Sequence, residues 1–130
     1  GLENCHVLIV DDEPMNLKIA CNVLANTGMQ IDTAKDGQEA LQKTMQTAYD
    51  VILMDHLMPG MSGEETFRII CRESSLNQHT PVIMLTAEDS EEYRSSIRAQ
   101  GLSGYILKPV TLPAVMEALL QAGVRGGAKR

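Results

Sequence analysis

Basic side chains are scarce in this chain: 11 Lys and Arg stand against 17 Asp and Glu, for a formal net charge of −6. A nucleic-acid backbone is bound by clustered cations that displace counterions from phosphates, so the composition argues against direct nucleic-acid contact. It favours solubility and the binding of cations. Cysteine is sparse too. Cys5, Cys21 and Cys71 form an odd set without C-x-x-C spacing, each in or beside an apolar run where a free thiol behaves as a small hydrophobe. The expectation is reduced thiols and a cytoplasmic setting. No apolar stretch approaches the roughly 20 residues that cross a bilayer, and no basic segment followed by an apolar one opens the chain. No membrane contact by this domain is expected. Internal repeats and low-complexity segments are missing as well.

What is present suffices for one domain. A chain of 130 residues with 44% hydrophobic content can bury a core without disulfides or a structural metal. It begins at Gly1 rather than Met and ends in Gly126-Gly127-Ala128-Lys129-Arg130, which reads as a flexible, partly basic tail. Both ends suggest a piece of a longer protein, with the domain at 5–122 and flanking residues at 1–4 and 123–130.

Apolar runs of strand length recur at 6–10, 51–54, 82–85 and 105–107, with a weaker one at 29–34. Their continuity suits strands buried on both faces. Helical spacing lies between them. Leu17, Ala20, Cys21 and Leu24 fall at i, i+3, i+4, i+7, and Gly28 offers a C-terminal stop. In the last helix Thr111 can cap, Pro113 fits the first turn, and Leu112, Val115, Met116, Leu119 and Leu120 are expected to share the face that covers the sheet. Strand and helix thus alternate five times, which predicts an α/β fold: a doubly wound parallel sheet with right-handed crossovers and helices on both sides.

In such sheets the ligand site lies beyond the carboxyl ends of the strands. Reading off those ends gives Asp11 and Asp12 after the first, Asp55 after the third, Thr86 after the fourth and Lys108-Pro109 after the fifth. Carboxylates in close apposition repel by roughly 4 kcal/mol per pair at an effective dielectric of 20, and a hard divalent cation relieves this. Mg2+ prefers oxygen ligands and commonly binds through one or two carboxylates plus phosphate oxygens. Asp55 can then act as a nucleophile toward phosphorus, with the Lys108 ammonium and the Thr86 hydroxyl stabilising charge on the transferred oxygens.

Four segments carry a resemblance: Val-Asp-Asp-Glu-Pro at 10–14, Leu-Met-Asp-His-Leu-Met-Pro-Gly-Met-Ser-Gly at 53–63, Leu-Thr-Ala at 85–87 and Leu-Lys-Pro at 107–109. In this order and spacing the chain resembles a response-regulator receiver domain of two-component signalling, over Val7 to about Leu120. The resemblance implies a flavodoxin-like sheet of order 2-1-3-4-5. It implies Asp55 as phosphoacceptor, Asp12 and Asp55 as direct ligands of Mg2+ (or Mn2+), Asp11 binding through water, and the Leu57 carbonyl as a further ligand. Lys108 would pair with the phosphoryl group. Thr86 would swing toward it and Tyr105 would rotate inward as the switch aromatic, while Pro109 would follow a cis peptide bond. Ser62 stands where the family often has Asp, at a position that is not catalytic. Glu88, two residues past Thr86, lies where the family tunes hydrolysis of the acyl phosphate.

Taken singly, each of these residues has a plainer reading: a lone Asp at a strand end is usually a helix cap or a solvated carboxylate, Thr86 a cap, Lys108 a surface charge. Their joint placement outweighs it. His6, His56 and His79 lack metal-ligand spacing, and the His56 ring is expected to face solvent. The methionines read as adaptable filler, with Met15 and Met58 as exceptions beside the acidic site where a phosphodonor would dock. Glu91, Glu92, Arg94 and Arg98 read as a solvated helix face, or as a partner surface with Tyr105 and the last helix.

The resemblance implies a histidine kinase or histidine phosphotransfer domain as donor, and an output domain or a homodimer through the face of the fourth and fifth helices as reader. It implies no enzyme beyond self-phosphorylation and slow self-dephosphorylation. A Mg2+-dependent phosphatase with an aspartyl-phosphate intermediate fits less well, because such enzymes place an acid two residues past the nucleophile, where this chain has Leu57. A receiver that signals without phosphorylation would not need the full acid, Thr and Lys set. The segment Asp-Asp-Glu-Pro-Met-Asn-Leu at 11–17 is similar to receivers attached to hybrid sensor histidine kinases, whose parent protein can be membrane-anchored. The residues after Pro109 suffice for a final helix and are too few for a DNA-binding output domain.

Overall fold

The computed structural model describes residues 2–124. Five strands and five helices alternate: β1 His6–Val10, α1 Pro14–Leu24, β2 Gln30–Ala34, α2 Gly37–Gln46, β3 Val51–Asp55, α3 Gly63–Glu73, β4 Val82–Thr86, α4 Glu91–Gln100, β5 Gly104–Leu107 and α5 Leu112–Gln121. All neighbouring strands are parallel and the sheet order is β2-β1-β3-β4-β5. The order reverses direction after β1, which opens a crevice between the chain segments that leave β1 and β3.

The three inner strands are continuous apolar runs because both faces are covered. Val7, Ile9, Leu53, Ile83 and Leu85 pack with Ala20 and Leu24 of α1 and with Val115, Ala118 and Leu119 of α5. Leu8, Val10, Ile52, Met54 and Met84 point the other way, onto Ala40 of α2, Phe67 and Ile70 of α3, and Tyr93 and Ile97 of α4. The period of two along each strand thus feeds two separate cores. β2 and β5 are edges with mixed burial, and β2, with a single buried residue, is the strand whose sequence signal is weak.

Helix starts follow capping chemistry. Asp36, Ser62, Ser90 and Thr111 each accept a hydrogen bond from the backbone three residues on, and Ser62 and Glu65 form a reciprocal capping box. Ser62 thus has a structural task of its own at the start of α3.

Two expectations about helices need correction. α1 stops at Leu24 and not at Gly28, because the Thr27 hydroxyl takes the Leu24 carbonyl (2.7 Å). Gly28 serves the following turn at φ 84°. On α5 only Val115 and Leu119 of the five expected residues are buried, joined by Ala118, while Leu120 is 80% exposed and Leu112 and Met116 are also exposed. At 100° per residue the apolar arc on that helix is wider than the strip the sheet can cover. Among the described residues no helix is long and apolar enough to cross a membrane. Among the described residues, Cys5, Cys21 and Cys71 form no disulfide. The tail expected at 126–130 lies outside the described residues.

Candidate functional site

Parallel pairing carries the ends of β1, β3, β4 and β5 to one edge of the sheet. The chain past β3 stays attached to β4 through His56 N–H to the Leu85 carbonyl (3.0 Å), and Lys108 N–H donates to the Thr86 carbonyl (2.8 Å). Asp11 is placed by its own N–H on the Ala34 carbonyl (3.1 Å), and its side chain accepts from Glu13 N–H (2.9 Å). These main-chain ties fix the acidic residues before any side chain interacts.

One ligand oxygen from each of Asp11, Asp12 and Asp55 falls within 4.8 Å of the others. The Lys108 Nζ sits between two of them, 2.7 Å from Asp55 Oδ1 and 3.1 Å from Asp11 Oδ2. Asp11 and Asp55 are buried. Burial pushes the Asp55 carboxyl up to about 6, against the hydrogen bond and charge of Lys108, while Asp11 and Asp12 raise it further. Burial alone would pull the Lys108 ammonium down, but its bonds to Asp55 and Asp11 and their charges outweigh that, so it stays above its ordinary value. Three carboxylates against one ammonium leave the site short of positive charge. An all-oxygen donor set with that deficit fits a hard divalent cation, and does not suit a soft one.

A cleft of about 480 Å3 opens over these groups, with Asp12, Asp55, Leu57, Thr86 and Lys108 on its walls. Asn16 and Glu13 line it too, although the sequence reading gave them no role. Their place is set by the start of α1, with Glu13 just before the helix and Asn16 in its first turn, which no strand-end rule picks out. Leu57 is 73% exposed at the rim. Thr86 is buried, and its hydroxyl accepts from Glu88 N–H (2.9 Å). The Lys108-Pro109 peptide is cis. Tyr105 sits on β5 opposite Met84, partly buried against the core, three residues before Lys108 and outside the cleft lining. The Arg94 guanidinium pairs with Glu91 (2.7 Å) and Asp89 (2.5 Å) and reaches the Tyr105 side chain; the bonds to Glu91 and then Tyr105 raise its pKa. The cleft therefore gathers Asp12, Asp55, Leu57, Thr86 and Lys108, with Asp11 joined to them through Lys108 (3.1 Å), and Tyr105 stands apart from it.

Two expectations near the cleft fail. His56 does not face solvent: its Nδ1 lies 2.8 Å from Glu64 Oε2 and its ring packs on Tyr93 at a centroid distance of 4.5 Å. The partner arrives from α3, eight residues on, and nothing in local spacing announces it. Met58 is buried in the core against α3 and α4 and offers no docking surface, whereas Met15 is 63% exposed. The loop after β3 dips back toward the sheet at Met58 before α3 begins.

Comparison with known proteins places this geometry. The response regulator receiver domain model matches residues 7–120. The transcriptional regulatory protein ResD of Bacillus subtilis is 38% identical over 103 residues, covering 79% of this chain and 41% of that protein. The autoinducer 2 sensor kinase/phosphatase LuxQ of Vibrio harveyi is 35% identical over 118 residues, covering 91% of this chain and 14% of LuxQ. The chain thus spans well under two thirds of either relative. Among solved structures, the chemotaxis protein CheY4 of Vibrio cholerae superposes with a TM-score of 0.82 at 34% identity, covering 91% of this chain and 98% of that one. With sheet order, strand-end acids and family match in agreement, the chain belongs to the response regulator receiver domains, the phosphoacceptor signalling switches of two-component systems.

Proposed function

We propose that Asp55 is the phosphoacceptor and that residues 5–122 form the working unit. An Asp55 carboxylate oxygen bonds to phosphorus as the phosphorus–nitrogen bond of a donor phosphohistidine breaks, and the donor imidazole keeps the electron pair. The observation that carries this reading is the Lys108 ammonium held between Asp55 and Asp11 at 2.7 and 3.1 Å, a fixed cation at the oxygen that would receive the phosphoryl group. Asp11, Asp12, Asp55 and the Leu57 carbonyl would hold Mg2+, or Mn2+ in its place. When bound, that ion supplies positive charge for the transferred phosphoryl oxygens. Thr86 takes a phosphoryl oxygen by its hydroxyl, and Tyr105 reports the movement on the α4–α5 side.

The donor is a histidine kinase or phosphotransfer domain, reached from the open side of the cleft where Met15 and Leu57 are exposed. The reader is an output domain or a second copy at the α4–α5 face. The domain catalyses only its own phosphorylation and slow dephosphorylation. LuxQ and other sensor kinases among the relatives support a cytoplasmic receiver segment within a larger hybrid kinase as the parent.

The test uses phosphoramidate, whose phosphorus–nitrogen bond is that of a phosphohistidine. Labelling should require Mg2+ and should fall by at least about tenfold in Lys108→Ala, the scale on which a single charge-stabilising donor acts. Labelling at equal rate in Lys108→Ala, or without any divalent ion, would contradict the assignment.

A further inference from the structure

Glu64 is a carboxylate whose side chain is only 12% exposed, and its Oε2 accepts two hydrogen bonds. One comes from His56 Nδ1 (2.8 Å), at the end of the strand that carries Asp55. A carboxylate has no proton to give, so the imidazole donates from Nδ1. The other comes from the Tyr93 hydroxyl (3.0 Å) in the first turn of α4. The Tyr93 and His56 rings lie against each other, tilted by 49°. The other imidazole nitrogen, Nε2, lies 3.9 Å from Glu88 Oε1. Glu64 itself sits in the first turn of α3, where the helix dipole favours a carboxylate. Three elements, the end of β3, the start of α3 and the start of α4, are therefore joined through one carboxylate oxygen.

The Tyr93 phenol also borders the switch. Burial and the Glu64 carboxylate push its pKa upward, and the Thr86 hydroxyl, which lies against it, works in the opposite direction. The Thr86 hydroxyl accepts from Glu88 N–H (2.9 Å), and the Glu88 carboxylate in turn lies 3.9 Å from His56 Nε2, which ties Thr86 to the same cluster. A phosphoryl group on Asp55 must take that hydroxyl away from this arrangement.

We propose that Glu64 and Tyr93, with His56, are positioning residues that hold Thr86 and the first turn of α4 in the conformation seen here, and so set how readily phosphorylation moves them. The inference rests on Asp55 and Thr86 acting as described above. None of the three residues is needed to hold Mg2+ or to attack phosphorus. Their removal should therefore make the switched conformation easier to reach, the reverse of the effect of general loosening around the site.

Beryllofluoride, a tetrahedral stand-in for a phosphoryl group on a carboxylate, tests this in Mg2+ buffer. Tyr93→Phe keeps the ring and removes the hydroxyl. Loss of one such hydrogen bond should tighten apparent beryllofluoride affinity about fivefold. Without beryllofluoride, the Thr86 and Tyr105 amide signals should already lie partway toward their bound positions, with Mg2+ affinity unchanged. Glu64→Gln, which keeps the shape and weakens both bonds, should shift affinity and signals in the same direction by less. Unchanged or weaker beryllofluoride binding in Tyr93→Phe, with resting signals like those of the unsubstituted protein, would overturn the proposal. If Tyr93→Phe does not fold, the same readings on Glu64→Gln decide. A lack of any beryllofluoride response in the unsubstituted protein would instead remove the Asp55 and Thr86 reading on which the proposal stands.

Discussion

Asp55 shows how one residue's setting serves its chemistry. A carboxylate this buried, beside two others, is held partly against its charge, so its value of about 6 lies well above the ordinary 3.8. An acid whose folded value exceeds its unfolded one stabilises the fold while protonated. That contribution is complete below the unfolded value and disappears as pH rises through the folded one. Without divalent ions, stability measured by chemical denaturation should therefore include a component that declines between about pH 4 and pH 6. Asp55→Asn removes the ionisation, keeps the size, and leaves Lys108 paired with Asp11. It should stabilise the ion-free protein at pH 7 by about 1–3 kcal/mol and flatten that decline. A destabilised Asp55→Asn with the decline intact would mean that the strain lies elsewhere in the site.

At the scale of elements, the tight joint is the start of α3 against the end of β3. A Cβ on Gly63 would stand 2.1 Å from the Asp55 carbonyl oxygen and 2.7 Å from Met84 Cε. Met84 can move, whereas the backbone oxygen of Asp55 cannot. Gly63→Ala should cost about 1–3 kcal/mol in thermal or denaturant unfolding and displace Asp55 enough to slow its labelling. The two effects should appear together, because one backbone shift produces both. The same joint shows what the sequence makes legible. Strands buried on both faces announce themselves as unbroken apolar runs, so β1, β3 and β4 and the acids at their ends can be read directly. Edge strands and the wide apolar arc of α5 leave more than one packing open, and only the sheet's curvature and the strip it covers select Val115, Ala118 and Leu119. The contact of His56, Glu64 and Tyr93 joins residues of three elements, and no periodicity within any one of them encodes it.

For the whole molecule, the excess of acid is concentrated into function at one edge of the sheet. A chain of net charge −6 that gathers three carboxylates around one ammonium is stabilised by whatever cation it binds. Binding only the folded state at 100 times its dissociation constant contributes about 2.7 kcal/mol. Saturating Mg2+ should therefore raise the melting temperature by several degrees, and Asp12→Asn should remove most of the rise. An equal rise in Asp12→Asn would place the ion elsewhere. The doubly wound sheet then links that edge to the α4–α5 face, because Thr86 and Tyr105 lie on adjacent strands.

Phosphoryl transfer that ends on one residue leaves a direct signature. Incubation with acetyl phosphate and Mg2+, followed by mass-spectrometric site mapping, should find one hydroxylamine-sensitive phosphoryl group per chain, on Asp55, and none in Asp55→Asn. Stable labelling at another residue, or undiminished labelling of Asp55→Asn, would place the phosphoacceptor elsewhere.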